Sequence, residues 1–142
     1  MTTHSFTPIM YIDDDADDQE IFKQTVSNLN VNHPVISFWN GREALKYLRS
    51  EKINPFIIFC DVNMPIMDGF ELRKQISEDK KLLLDCIPFI FYSTNADKKY
   101  VDMAYTLTVQ GYFKKPSDSN VIKQQLQRII YYWLDCKHPN NC

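Results

Sequence analysis

The segment FIIFCDVNMPIMDG, residues 56–69, joins an apolar run to a group of polar residues. Its first five residues are all apolar, and the run ends at the carboxylate of Asp61. A continuous apolar run of this length is typical of a strand that helices cover on both faces, as in a parallel sheet. Asp61 would then lie at the carboxyl end of the strand, where ligands bind in open α/β sheets. The segment therefore predicts a buried parallel strand that carries a reactive or binding group at its tip.

Apolar, strand-like runs recur along the chain, and each is followed by a segment with helical features. The runs are residues 8–12, 34–39, 56–60, 87–92 and 111–113. Strands that alternate with helices favour a parallel sheet with right-handed crossovers and helices on both faces. We therefore expect an α/β, doubly wound fold. With five strands, the flavodoxin-like order 2-1-3-4-5 places the first and third strands side by side at the ligand crevice.

The segments between these runs carry apolar residues at helical spacing, which predicts their buried faces. Asp68 is expected to cap the helix that follows the third strand, because its carboxylate can accept a hydrogen bond from the first helical turn. The expected buried residues are Ile21, Phe22, Val26 and Leu29, then Ala44, Leu45 and Leu48, then Phe70, Leu72 and Ile76, and finally Ile122, Leu126, Ile129, Ile130 and Trp133.

Length and composition indicate a single domain over residues 1–142, with a core at about residues 7–135 and short tails. The net charge of -2 gives no basic face for nucleic acid, and neither a signal peptide nor a membrane-spanning run is present. A cytoplasmic location is expected.

The four cysteines are widely spaced, so neither a zinc site nor a disulfide framework is predicted, and Cys60 and Cys86 are expected to be buried. The sequence contains no glycine-rich dinucleotide or phosphate-binding loop.

Polar side chains follow four of the predicted strands. Asp13 and Asp14 follow the first, Asp61 follows the third, Ser93 follows the fourth, and Lys115 comes just after the fifth. Under the expected strand order they converge on one crevice. Crowded carboxylates raise one another's pKa unless a cation neutralises them, and Mg²⁺ prefers such oxygen ligands. The pattern therefore predicts a magnesium site.

Four segments together resemble the receiver domain of two-component response regulators, in order and in spacing, over about residues 7–135. They are YIDDD (11–15), CDVNMPIMDGFEL (60–72), FYST (91–94) and GYFKKP (111–116). The resemblance implies that Asp61 accepts a phosphoryl group from a phosphohistidine. It also implies that Asp14 and Asp61 bind Mg²⁺ directly, that Asp13 acts through water, and that the backbone carbonyl of Asn63 completes the ligands.

The same resemblance implies further roles around the phosphoryl group. Lys115 would pair with the phosphoryl oxygens, and Ser93 would be the switch hydroxyl that hydrogen-bonds them. Tyr112 would be the aromatic residue that rotates inward when Ser93 moves. Asn63 and Asn95 would flank the path of the water that hydrolyses the phosphoryl group, and so would tune its lifetime.

The expected function is that of a stand-alone receiver, which catalyses only its own phosphorylation and dephosphorylation. Its partners would be a histidine kinase or phosphotransfer protein and a downstream protein target, and the output face would include residues 97–105. One alternative is a phosphohydrolase with Asp61 as nucleophile, although Asn63 stands where such enzymes carry a second aspartate. Another is a non-phosphorylated scaffold, although the complete set of site residues argues against it.

Overall fold

The structure is a computed structural model that describes residues 7–50 and 53–137. This part of the chain forms a five-stranded sheet and six helices. The strands are β1 (Ile9–Ile12), β2 (Val35–Phe38), β3 (Ile57–Cys60), β4 (Phe89–Ser93) and β5 (Gly111–Lys114). The helices are α1 (Ala16–Ser27), α2 (Gly41–Arg49), α3 (Gly69–Glu78), α4 (Lys80–Leu84), α5 (Lys98–Thr106) and α6 (Ser119–Asp135).

All neighbouring strands are parallel, in the order β2-β1-β3-β4-β5. The predicted flavodoxin-like, doubly wound fold is therefore confirmed. The register aligns Ile12 with Cys60, and the backbone N–H of Asp61 donates to the carbonyl of Ile12 at 2.9 Å. Asp13 and Asp61 consequently leave the sheet side by side at its carboxyl edge.

The core lies on both faces of the sheet, because successive strand residues point to opposite sides. In β1, Met10 and Ile12 pack with the apolar sides of α2 to α5, whereas Ile9 and Tyr11 pack with those of α1 and α6. All four β1 residues are buried, as are those of β3. The edge strand β2 is only half-buried. Its exposure follows from having a neighbour on one side alone.

Most of the predicted helix faces are buried, and the exceptions lie at the margins of the core. Ile21 was predicted to face the core, but its side chain is 43% exposed, because the buried face of α1 is formed by Gln19, Phe22 and Val26. Phe70 and Trp133 are half-buried rather than buried. Because polar and apolar residues are mixed along α1, the sequence did not define which side of this helix faces the core.

The short helix α4 was not predicted from the sequence. Asp79 caps it by accepting a hydrogen bond from the Leu82 backbone at 3.2 Å, and Leu82 is its one buried residue. A helix of five residues is too short to show an amphipathic period. The residue Cys86, just beyond it, is exposed and not buried as predicted, because this turn brings the chain to the surface.

Cys60 and Cys86 are free thiols, and Cys142 lies outside the described residues. Burial raises the pKa of the Cys60 thiol well above its ordinary value, with a further contribution from the charge of Asp61. This thiol is therefore protonated and packs as a small apolar group. Within residues 7–50 and 53–137, no helix combines the length and the apolar character needed to cross a bilayer.

Helix α3 begins in direct contact with the backbone around Asp61. Asp68 caps this helix as predicted, since its carboxylate accepts a hydrogen bond from Glu71 N at 2.8 Å. The N–H of Gly69 donates to the carbonyl of Val62 at 2.8 Å. A Cβ atom on Gly69 would lie 2.3 Å from the carbonyl oxygen of Asp61 and 2.8 Å from the Phe91 ring. Only glycine allows this close approach.

We expect Gly69→Ala to lower the free energy of unfolding by about 3 kcal/mol, because the backbone of Asp61 would have to move. Gly111→Ala is the matched control. Its Cβ would come no closer than 3.0 Å to the Phe113 ring, which can adjust, so its cost should not exceed about 1 kcal/mol. Urea unfolding measures both values. Equal costs for the two variants would contradict the close packing at Gly69.

Candidate functional site

The polar residues predicted from the strand ends meet at the carboxyl edge of the sheet. Oxygen atoms of Asp13, Asp14 and Asp61, one from each carboxylate, lie within 4.8 Å of one another. Asp13 is fully buried, Asp61 is partly accessible, and Asp14 is exposed. The neighbouring positions of β1 and β3 account for this convergence.

The side chain of Lys115 reaches across the sheet from β5 into this cluster. Its Nζ lies 2.5 Å from Asp13 Oδ2, 2.9 Å from Asp18 Oδ2 and 3.2 Å from Asp61 Oδ2. Burial by itself would lower the pKa of Lys115. The hydrogen bond to Asp13 and the charges of Asp13 and Asp61, with the bond to Asp18, outweigh it and raise the pKa above its ordinary value. Lys115 therefore remains a cation and neutralises part of the carboxylate charge.

The carboxylate of Asp13 accepts hydrogen bonds from three donors. Its Oδ2 accepts from the hydroxyl of Tyr11 at 2.7 Å as well as from Lys115, and its Oδ1 accepts from the backbone N–H of Asp15 at 3.0 Å. Burial raises the pKa of Tyr11, and the charge of Asp13 raises it further, so the phenol stays protonated and donates. The ring of Tyr11 stacks on Phe22 with centroids 4.1 Å apart. The Asp13 carboxylate is thus fixed in one orientation.

Gln19 supports the same loop from α1. Its Nε2 donates to the carbonyls of Asp13 and Phe38, both at 2.9 Å, and so ties the ends of β1 and β2 together. Its Oε1 is buried and accepts no hydrogen bond within the described part of the chain. Sequence reasoning missed Tyr11, Asp18 and Gln19. The one available signal was Gln19, a polar residue on the apolar face of α1.

Asp61 is less enclosed than Asp13, since 15% of its side chain is exposed. Its Oδ1 accepts a hydrogen bond from the backbone N–H of Val62 at 2.7 Å, and its Oδ2 faces Lys115. One oxygen is therefore anchored by the backbone. The other oxygen lies beside the Lys115 cation, on a side chain that is partly accessible to solvent.

Ser93, Asn95 and Tyr112 form a neighbouring group of hydrogen bonds after β4. Ser93 is 1% exposed, and its Oγ accepts from the backbone N–H of Asn95 at 3.2 Å. The hydroxyl of Tyr112 donates to the carbonyl of Asn95, and its ring packs against Phe91. Burial raises the pKa of Tyr112. The predicted switch hydroxyl and the predicted switch aromatic are thus joined through one loop.

The side-chain amides of Asn63 and Asn95 are each hydrogen-bonded near α5. Asn63 Oδ1 accepts from the hydroxyl of Tyr100 at 3.2 Å, and Asn95 Oδ1 accepts from the backbone N–H of Asp97 at 3.0 Å. In the described part of the chain, neither amide is hydrogen-bonded to Asp61. Their side chains are thus hydrogen-bonded to α5 and its preceding loop and not, among the described residues, to Asp61.

The acid cluster fits a small divalent cation by its donor chemistry. The three carboxylates offer the hard oxygen ligands that Mg²⁺ prefers, and the exposure of Asp14 leaves room for the waters that this ion retains. The ion would supply positive charge beside Asp61. Asp14, unlike Asp13, has no hydrogen-bond donor among the described residues.

Comparison with known proteins agrees with this geometry. Residues 9–127 match the response regulator receiver domain family. The chain belongs to this family. A chemotaxis protein CheY homolog of Campylobacter jejuni is 29% identical over 123 residues, which cover 86% of this chain and 91% of that protein. The receiver also matches the DNA-binding transcriptional regulator NtrC of Escherichia coli, with 26% identity over 133 residues and 94% of this chain. It spans only about a quarter of that relative, 27% of its length.

Solved structures show the same fold. The phosphorylated cyanobacterial phytochrome response regulator RcpA superposes with a TM-score of 0.84 and 28% identity, over 94% of this chain and 99% of that one. The Mn²⁺-bound response regulator Rcp1 superposes with a TM-score of 0.81, over 93% and 97% of the two chains. At 23% identity, the second comparison supports the fold alone. Receiver domains act as phosphoacceptors in two-component signalling, and residues 9–127 of this chain form such a domain.

Replacing Asp13 or Asp14, the two acids after β1, by asparagine should affect stability differently. Without Mg²⁺, Asp14→Asn should leave the receiver equally stable or more stable, because it removes repulsion at no cost in hydrogen bonds. Asp13→Asn should cost about 2 kcal/mol, because Tyr11 and Lys115 lose a charged acceptor. Both variants should show a smaller rise in melting temperature on addition of Mg²⁺. Thermal melts with and without the ion test this, with Asp17→Asn as control, and an unchanged shift in Asp14→Asn would exclude Asp14 as a ligand.

Proposed function

We propose that this receiver accepts a phosphoryl group on Asp61, in a Mg²⁺-dependent reaction with a phosphohistidine of a histidine kinase or phosphotransfer protein. The observation that carries the proposal is the position of the Asp61 carboxylate, which is partly accessible to solvent and has its Oδ2 3.2 Å from Lys115 Nζ within a cluster of carboxylates. A carboxylate in this position can act as a nucleophile once its charge is balanced. Lys115 balances part of this charge, and a bound Mg²⁺ would balance more of it together with that of the phosphoryl group.

In the proposed reaction, an oxygen of Asp61 attacks the phosphorus, the new O–P bond forms, and the P–N bond to the donor histidine breaks. The histidine nitrogen keeps the bonding electron pair and takes up a proton from solvent. Val62 N–H holds the other Asp61 oxygen, which fixes the direction of attack. Lys115 pairs with the phosphoryl oxygens, as a compact ammonium can. The protein's contribution is positioning and charge neutralisation.

Mg²⁺ would be held directly by Asp14 and Asp61, through water by Asp13, and by the backbone carbonyl of Asn63. It would neutralise charge that develops on the phosphoryl oxygens. The support for this assignment is the cluster of carboxylate oxygens within 4.8 Å and the contrast between buried Asp13 and exposed Asp14. Asp13 has its lone pairs engaged by Tyr11, Asp15 and Lys115, which suits an indirect role.

The loop after β4 would transmit the effect of phosphorylation from Asp61 to the protein surface. Ser93 Oγ now accepts a hydrogen bond from Asn95 N, and its own proton can be donated to a phosphoryl oxygen. Movement of this loop would shift the Tyr112 hydroxyl, which is bonded to the Asn95 carbonyl. The output would be a changed affinity for a protein target at the surface of α5, β5 and α6, or relay of the phosphoryl group. On α5, Met103 and Tyr105 are 49% and 51% exposed.

The proposed phosphoryl donor also implies a location. Histidine kinases use ATP in the cytoplasm, so a receiver that reacts with them would be cytoplasmic. We also propose that residues 1–142 form one domain. An aspartate-nucleophile phosphohydrolase is disfavoured, because Asn63 cannot serve as the general acid of such an enzyme. A non-phosphorylated scaffold would not need the buried Lys115 and Asp13 pair beside an accessible carboxylate.

Incubation with Mg²⁺ and acetyl phosphate should add one phosphoryl group at Asp61. Intact-protein mass spectrometry should show the adduct in the parent and none in Asp61→Asn, which keeps the size of the side chain but loses the nucleophile. Addition of EDTA should abolish labelling. Equal labelling of the parent and Asp61→Asn would disprove the assignment.

The lifetime of the phosphorylated receiver should depend on Asn63 and Asn95. Asn63→Lys should slow hydrolysis most, by about tenfold, because a cation there can pair with the phosphoryl oxygens and also obstruct the water. Asn95→Leu should slow it less, by obstruction alone. The measurement is decay of the phosphorylated protein after removal of the donor, with Asn120→Leu on α6 as control. Unchanged decay in both variants would show that neither side chain lies on the path of the water.

A further inference from the structure

A fourth carboxylate reaches the site from helix α1. Asp18 is not part of the cluster formed by Asp13, Asp14 and Asp61, yet its Oδ2 lies 2.9 Å from Lys115 Nζ. Its backbone N–H is bonded to the capping carboxylate of Asp15 at 2.9 Å, which fixes Asp18 in the first helical turn. The start of α1 thus directs this side chain back towards the edge of the sheet. Its side chain is 33% exposed.

All three N–H donors of the Lys115 ammonium group are engaged in this arrangement. An ammonium has three N–H donors, and the three carboxylates of Asp13, Asp18 and Asp61 lie around it at 2.5, 2.9 and 3.2 Å. A phosphoryl group on Asp61 adds acceptor oxygens and about two negative charges at the same place. One of the present acceptors must therefore release Lys115.

Asp18 is the acceptor that can be released at least cost. Asp13 is fully buried and would be left in the interior without its counter-ion. Asp61 becomes the phosphorylated residue itself. Asp18 is the most exposed of the three, so water can solvate it when Lys115 moves away. The three pairs with Lys115 are therefore unequal.

We propose that Asp18 is a competing counter-ion that holds Lys115 in the unphosphorylated receiver and weakens the binding of a phosphoryl group at Asp61. This inference rests on the proposed function and adds to it a residue that sets the balance between the two states. Asp18 acts through Lys115 and is a positioning residue. Removing it frees one donor of Lys115 and removes a nearby negative charge, and both effects favour the phosphoryl group.

Asp17 provides a matched control on the same helical turn. It is an exposed acid adjacent to Asp18, and neither an ion pair nor a hydrogen bond joins it to Lys115 among the described residues. Asp17→Ala removes the same charge and makes the same change in helix propensity as Asp18→Ala. A difference between the two variants therefore reports the contact with Lys115.

The first test is the binding of beryllofluoride, a phosphoryl analogue, in the presence of Mg²⁺, followed by the NMR shifts of the receiver. Asp18→Ala should bind the analogue roughly fivefold more tightly than the parent, and Asp17→Ala should stay within about twofold. Equal affinities for the two variants, or weaker binding by Asp18→Ala, would overturn the role of Asp18. Asp61→Asn is the blank. A parent that binds no more analogue than this blank would overturn the proposed function, and with it the competition.

The second test needs neither analogue nor metal. It is a double-mutant cycle of Asp18→Ala with Lys115→Met. Asp18→Ala should raise the unfolding equilibrium constant by a factor that is about threefold larger when Lys115 is present than when it is replaced by Met. The constants are measured by urea unfolding in EDTA. Additive effects would show that the pair does not exist in solution and would overturn the inference, even if the parent is phosphorylated normally. The two tests therefore separate failure of the ion pair from failure of the proposed function.

Discussion

The buried ion pair between Lys115 and Asp13 is the interaction on which the arrangement of the site depends. A fully buried carboxylate costs several kcal/mol unless a cation and hydrogen bonds compensate it. Lys115 provides the cation from beyond β5, although Asp13 follows β1 and two other strands lie between them. The pair can form only when β1, β3, β4 and β5 end at one level. Folding of the whole sheet is thus coupled to assembly of the charged crevice.

The sequence contained enough information for the fold and for the positions of the main acidic residues. A continuous apolar run that ends at Asp61 reports a strand covered on both faces, and the register confirms that Asp13 and Asp61 emerge together. Periodicity alone could not order the strands, because each run is compatible with several neighbours. The order was inferred from the doubly wound fold class and in part from resemblance to a family. Family membership is shown by the match over residues 9–127, whereas the individual roles of the residues are proposals.

The features that could not be predicted are contacts between side chains that are distant in sequence. Asp18 and Lys115 are 97 positions apart, and no pattern in either segment indicates that they meet. Tyr11 looks like an ordinary strand residue, because its hydroxyl is used only after the chain turns at Asp13. Helix α4 depends on its cap and on packing of Leu82, and its five residues are too few to show a period. These features depend on tertiary geometry, which cannot be predicted from local propensity.

The path from the site to the surface of α5, β5 and α6 consists of aromatic contacts with hydrogen bonds at its two ends. Tyr100 packs against Phe70, Phe70 against Phe91, and Phe91 against Tyr112, with centroids 5.4 to 5.8 Å apart. Contiguity alone does not establish coupling, which requires an element with two arrangements. The loop at residues 94–97 can provide one, because its bonds at Asn95 lead to both Ser93 and Tyr112. A phosphoryl group that draws Ser93 away would disturb both bonds together. The aromatic contacts would then have to repack around a new position of Tyr112, since a packed interior has no space for intermediate positions.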